Sequence, residues 1–216
     1  MKLLSINTGK AGILENPDVR TGIFKSARQG AVAIGPLGLE GDEIVNLKVH
    51  GGTDQAVYIY GKPDYEFWEK ELGRSLAPGL FGENLTIDGL QSKEIMIGDR
   101  LVIGEAVLEI TSPRIPCTNF ARVMQEENWK ERFHAAQRPG IYARVIATGT
   151  VSAGDDVKLI PFAGEKIPVT ELTEDYRKPA PARMEWLLKV PLHKDLREQY
   201  ERDLKTLKQE QAQQQQ

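Results

Sequence analysis

The amino-acid sequence predicts a mainly β protein, a β-barrel with a few helices and a small C-terminal helical appendage. Three observations carry that expectation. Up to about Phe162 the apolar residues fall in short runs. Turn chemistry such as Ile87-Asp88-Gly89 and Ile97-Gly98-Asp99 separates them. Beyond Phe162 the pattern changes, and Pro168, Pro179, Pro181 and Pro191 punctuate helical pieces. Many short strands favour closure, because a closed sheet leaves no exposed edge. The chain therefore divides into a barrel over 1–162 and a helical extension over 163–216, ending in a glutamine run expected to be disordered.

Taken in order, strands are predicted over 3–7, 22–26, 31–34, 56–59, 84–87, 100–103, 107–111, 143–147 and 157–160. A helix over 63–72 has Pro63 at its start and Gly73 just past its end, and it sets Phe67, Trp68 and Leu72 toward the core. A second helix, over 119–127, turns Phe120, Val123 and Met124 inward. The last, over 192–209, carries Leu192, Leu196, Tyr200, Leu204 and Leu207 on one stripe with charges opposite. That stripe packs on the barrel or on a second subunit, so a homodimer is admissible.

Composition narrows the classes of function. A formal net charge of -3 and a pI near 5.8 leave no basic surface to expect, so nucleic acid is not the expected partner. No run approaches the ~18 apolar residues of a membrane span. The N-terminus reads as a first strand rather than a signal peptide. A single cysteine forms no internal disulfide, which agrees with a reducing, cytoplasmic compartment.

That cysteine, Cys117, lies in Ser112-Pro113-Arg114-Ile115-Pro116-Cys117-Thr118-Asn119. A lone cysteine often serves as a small buried hydrophobe. Here two prolines fix the approach, and Thr118 and Asn119 are cap residues for the helix that follows. A thiol at a helix N-terminus meets partial positive charge, which favours the thiolate, and Arg114 adds a full charge. A thiolate suits a soft metal or nucleophilic chemistry. A second cluster, Lys48-Val49-His50-Gly51-Gly52-Thr53-Asp54-Gln55, offers a glycine turn whose amides can hold an anion, or a plain turn between strands. Phe81-Gly82-Glu83-Asn84-Leu85 is a further polar turn. With only His50, His134 and His193 and no cysteine pair, a structural zinc site is not expected. A cysteine hydrolase would need Cys117 with His50 or His134, and Asn119 or Asp54 as orienter, but no local signature supports one.

In order, Leu37-Gly38-Leu39-Glu40-Gly41-Asp42, Lys48-Val49-His50-Gly51-Gly52, Phe81-Gly82-Glu83-Asn84-Leu85 and Pro113-Arg114-Ile115-Pro116-Cys117 resemble the MOSC domain, the C-terminal module of molybdenum cofactor sulfurases. Gly140-Ile141-Tyr142-Ala143-Arg144-Val145 matches its closing strands. The resemblance is to stand-alone bacterial members with a short helical extension. It implies a β-barrel that binds molybdopterin and, in the reductase members, reduces N-hydroxylated compounds such as hydroxylaminopurines, amidoximes and N-oxides. By this resemblance Cys117 ligates molybdenum, and Arg114 and Lys48 contact phosphate or pterin. His50 with the Gly51 and Gly52 amides holds the cofactor or moves a proton. Asp54, Glu83, Asn84 and Asn119 bind or orient cofactor edges, with Arg144 a further candidate. Electrons then come from a separate donor of flavoprotein or ferredoxin type. No pyridoxal phosphate site is identified. The alternative is a non-catalytic carrier of molybdopterin, or of sulfur as a persulfide on Cys117.

Overall fold

The computed structural model describes residues 1–14, 16–45, 51–175 and 179–214. Its strands are β1 (Lys2–Thr8), β2 (Gly12–Leu14), β3 (Asn16–Thr21), β4 (Ser26–Ala27), β5 (Val32–Gly35), β6 (Gly38–Leu39), β7 (Val57–Gly61), β8 (Leu85–Asp88), β9 (Arg100–Ile103), β10 (Ala106–Pro113), β11 (Ile141–Ala147), β12 (Gly149–Val151) and β13 (Val157–Ile160). The helices are α1 (Lys62–Leu72), α2 (Thr118–Met124), α3 (Trp129–Ala135), α4 (Val169–Asp175), α5 (Pro181–Leu187) and α6 (Lys194–Gln214).

One eight-stranded sheet dominates, in the order β13-β9-β10-β11-β7-β8-β1-β4, with a smaller β12-β5-β6 sheet and the β2-β3 pair beside it. Neighbours run antiparallel except β7 and β8. Parallel partners need a crossover, and α1 supplies it. The large sheet curls: Leu3 N donates to Asp155 O at 2.9 Å and Gly154 N to Leu3 O at 2.7 Å, drawing the turn before β13 against β1. Among the described residues the named ladders end at β13 and β4, with one isolated antiparallel bridge, Lys2 to Asp156, between β1 and the residue before β13, and the architecture is a curled, sheet-dominant fold with six helices.

Alternation along β7 explains the interior. Val57 and Ile59 join an aliphatic core, while Tyr58 and Tyr60 enter an aromatic cluster on the opposite face. The aliphatic core continues without a break into Leu172, Leu187, Leu196, Tyr200 and Leu204, so the C-terminal helices cover the sheet. Main-chain bonds reinforce this docking, from Ile97 N to Ile167 O and from Val169 N to Ile95 O, each 2.9 Å.

Three local expectations change. Residues 22–25 form no strand, and only Ser26–Ala27 pair with β1. This segment passes so close to its neighbours that a Cβ on Gly9 would fall 1.9 Å from Phe24 O, and one on Gly22 2.1 Å from Glu43 O. Helix α2 stops at Met124, because Gln125 takes a left-handed φ of 54°. The chain then starts a further helix, α3, after Asn128. Helix α6 begins at Lys194, two residues later than predicted, and runs to Gln214, past the predicted end at 209 and into the glutamine run expected to be disordered.

Candidate functional site

Strand β10 delivers Pro113, and the chain then turns into α2 with Cys117 as the N-cap. Cys117 has extended dihedrals (φ -94°, ψ 169°), and its Sγ accepts the Phe120 amide at 3.4 Å. The sulfur thus holds a place that Ser or Asn commonly takes. Cys117 is half-buried and lines a cleft of about 370 Å³.

Arg114 stands beside it, 6% exposed. Its guanidinium lies 4.1 Å from the Phe120 ring centroid and 4.9 Å from that of Tyr58, and it donates to the Phe81 carbonyl. Burial works against its charge, but Tyr58, Tyr142 and Cys117 outweigh that and raise its pKa. The cation is therefore fixed, and rings rather than a carboxylate hold it. Tyr58 and Tyr142 pack ring on ring at 4.8 Å and face the cleft together. Burial pushes the Tyr58 hydroxyl up, so it stays a neutral donor, given to Pro139 O at 2.9 Å.

The opposite wall holds a buried ion pair. Lys25 Nζ donates to Asp42 Oδ1 at 2.6 Å, with side chains 7% and 5% exposed. Asp42 also accepts from Gly9 N and Asn84 Nδ2, each at 2.9 Å. Burial lowers the pKa of Lys25 despite the pull of Asp42. A positive φ at Gly79 allows the approach, since a Cβ there would lie 2.8 Å from Lys25 O.

Of the residues expected to form the site, Cys117, Arg114, Gly51, Asn84 and Asn119 line this one cleft. Asn84 is committed within it: Oδ1 accepts from Tyr58 N at 3.0 Å while Nδ2 holds Asp42. Gly52, with φ 78°, follows Gly51 at the rim. Lys48 and His50 lie outside the described residues.

Three expected cofactor contacts are not among the residues lining the cleft. Glu83 is fully buried behind the cleft, where Oε1 accepts from Gly79 N (2.6 Å), Tyr65 Oη (2.7 Å) and Thr86 Oγ1 (2.8 Å). Burial raises its pKa. Asp54 and Arg144 pair with each other at 3.1 Å, facing the C-terminal segment and not the cleft. All three satisfy buried polar groups of the frame. The hydrolase pairing also fails for His134, which lines a separate hollow beyond the 114–116 segment and lies 3.4 Å from Glu174.

Lys25 and Tyr58 were not singled out from sequence, and Asp42 and Tyr142 entered only as parts of motifs. The available signal was the lone lysine ending the apolar pair Ile23-Phe24 after Gly22. Among the described residues no three His, Cys, Asp or Glu side chains gather as a metal site. No helix among the described residues is long and apolar enough to cross a membrane.

Fold and site together define a sheet protein with one cysteine and a buried cation at a small-molecule cleft. The MOSC domain model matches residues 46–158. The uncharacterized protein YflK of Bacillus subtilis (strain 168) is 37% identical over 166 residues, covering 76% of this chain and 75% of that protein. A protein of Gibberella moniliformis named Reductase is 30% identical over 164 residues, 73% of this chain but 29% of its own length. The crystal structure of YiiM from Geobacillus stearothermophilus aligns with a TM-score of 0.77 at 27% identity, covering 94% of this chain and 98% of that one. The chain belongs to the MOSC domain family.

Proposed function

We propose that this protein is a molybdenum-cofactor-dependent reductase of N-hydroxylated compounds: hydroxylaminopurines, amidoximes and N-oxides. The observation that carries the proposal is the Cys117 sulfur in an open cleft beside the buried, charged Arg114. MOSC domains are associated with the molybdenum cofactor, and the donor set here fits such a group. A thiolate is a soft ligand. The group is anionic, and Arg114 sets fixed positive charge beside the space it would fill, while the charge of Lys25 is matched by Asp42. The cleft volume of about 370 Å³ falls in the roughly 300–1,000 Å³ range of small-molecule sites.

When bound, the cofactor would supply the two-electron exchange that breaks an N–O bond, the oxygen leaving as water with two protons. The chain's own part is to bind and orient. Cys117 would hold the metal through Sγ, steadied by the Phe120 amide. Arg114, clamped between two rings, would keep its charge without moving. Asn84 holds Asp42 and, through it, Lys25. Lys48 and His50 enter the proposal from their place in the sequence, as anion contact and proton carrier. Electrons would come from a separate flavoprotein or ferredoxin.

The test is production of the full chain in a molybdopterin-making host, followed by metal and pterin analysis and a hydroxylaminopurine reduction assay with an artificial reductant. We expect bound molybdenum and turnover. Cys117→Ala should stay folded and lose both, with activity down at least roughly a hundredfold. Molybdenum-free wild-type protein from that host overturns the proposal. A persulfide on Cys117 without reduction of the hydroxylamine would assign sulfur carriage instead.

A further inference from the structure

The short turn after Gly51 and Gly52 faces two ways. Gly51 and Gln55 line the cleft. Between them Asp54, 8% exposed, points to the other side, where Oδ2 accepts the Lys194 amide at 2.7 Å and Arg144 Nη2 at 3.1 Å. Lys194 is the first residue of α6, so Asp54 caps that 21-residue helix from a distant part of the chain. Arg144 completes the link by donating to Leu192 O at 2.8 Å. The backbone repeats it: Thr111 Oγ1 donates to Asp54 O at 2.6 Å, and His193 N donates to Thr111 O at 3.2 Å.

The turn needs such a restraint. Gly51 and Gly52 have φ of 84° and 78°, and two successive glycines have the most conformational freedom to lose on being fixed. Neither Asp54, Arg144 nor any residue of α6 lines the cleft, so their effect on it is indirect, and from Asp54 the direct covalent route is this turn.

We infer that Asp54 is a positioning residue of the cleft. Anchored to Arg144 and the first turn of α6, it fixes the Gly51-Gly52 rim, which makes the C-terminal extension a working part of the site. The inference rests on the cofactor-binding role proposed for the cleft.

The experiment compares Asp54→Ala, Asp54→Asn, Arg144→Met and the Asp54→Ala/Arg144→Met double variant in the full chain. Leu204→Ala serves as a control that weakens the packing of α6 away from the link. Three properties are read: amide hydrogen exchange over residues 51–56, the rate of Cys117 alkylation by iodoacetamide, and molybdopterin affinity. In Asp54→Ala, exchange over 51–56 should rise about tenfold or more. Its molybdopterin affinity should fall about tenfold. Asp54→Asn keeps an acceptor for the Lys194 amide and should recover part of both. Arg144→Met should match Asp54→Ala, and the double variant should be no worse than either single one. Leu204→Ala should lower the unfolding midpoint and leave exchange at the turn and affinity unchanged. If Asp54→Ala behaves as Leu204→Ala does, Asp54 is only a cap and the inference falls. If the wild-type chain binds no molybdopterin, the proposed function fails by itself, and exchange and alkylation still decide the role of Asp54.

Discussion

Strand β7 stands between two interiors of different make. Val57 and Ile59 face aliphatic side chains that reach from Leu3 and Ile6 in the first strand to Leu196 and Leu204 in the last helix. Tyr58 and Tyr60 face a smaller cluster, rich in rings: Trp68, Phe81, Phe120, Trp129 and Phe133. No member of the aliphatic core lines the cleft, whereas Tyr58 does, and the half-buried Cys117 packs against the ring cluster. Phe120 meets Phe133 edge-on at 5.0 Å and Trp129 at 5.5 Å, while its own face receives Arg114. Aliphatic side chains bury area with little demand on direction. Rings impose angles, and a guanidinium is held by a face. Bulk stability and site geometry are thus carried by different chemistry on the two sides of one strand.

Substitutions can break this contrast. The largest effect is expected for Phe120→Ala, which empties a fully buried ring position and removes the surface under Arg114. Unfolding by denaturant should show a loss of about 3–5 kcal/mol. The folded fraction should also bind less molybdopterin, because Arg114 loses its seat. If affinity is unchanged in the folded fraction, the rings are ordinary filling and the contrast fails. Ile59→Val, one methylene removed on the aliphatic face, should cost about 0.5–1.5 kcal/mol by the same measurement. Its Cys117 alkylation rate and cofactor affinity should match the wild type.

The same contrast marks what the sequence made legible. Periodicity located most strands, and Pro63 with Gly73 bracketed α1 almost to the residue, Gly73 taking the left-handed φ of 62° that ends it. Cys117 near a helix start was readable from Pro116, Thr118 and Asn119, but the N-cap is Cys117 itself, and Thr118 and Asn119, expected as caps, are the first two residues of the helix. Lys25 was not readable. It was assigned to a strand, whereas 22–25 lies in close contact with distant backbone: Phe24 with Gly9, Lys25 with Gly79, and Gly22 with Glu43. The pairing of Asp54 with Arg144 was not legible for a related reason. A charged residue beside a glycine turn looks like a ligand contact until the C-terminal segment, 140 residues away, is seen to take its hydrogen bonds. Sheet order and the helix α3 were likewise settled by tertiary packing and by two non-glycine residues, Gln125 and Asn128, in left-handed conformations.

The smallest effect expected, and the one with the clearest sign, concerns Glu83. Burial raises its pKa, so the fold favours the protonated carboxyl. The stability this contributes is fully present below the ordinary carboxylate pKa, is lost as pH rises toward the raised value, and is absent above it. Glu83→Gln keeps an oxygen for the four donors on Oε1 and replaces Oε2, which has no hydrogen-bond partner among the described residues, with an uncharged group. At acid pH the two proteins should agree within about 1 kcal/mol. The difference should then move in favour of Gln as pH rises through that window and stay level beyond it. Other carboxylates titrate alike in both proteins and cancel in the difference. Denaturant unfolding of both proteins across pH 4–8 checks the slope. A difference that does not vary with pH would mean that the carboxylate is accommodated in its ionised form, making Glu83 part of the cleft's electrostatics and not of its frame.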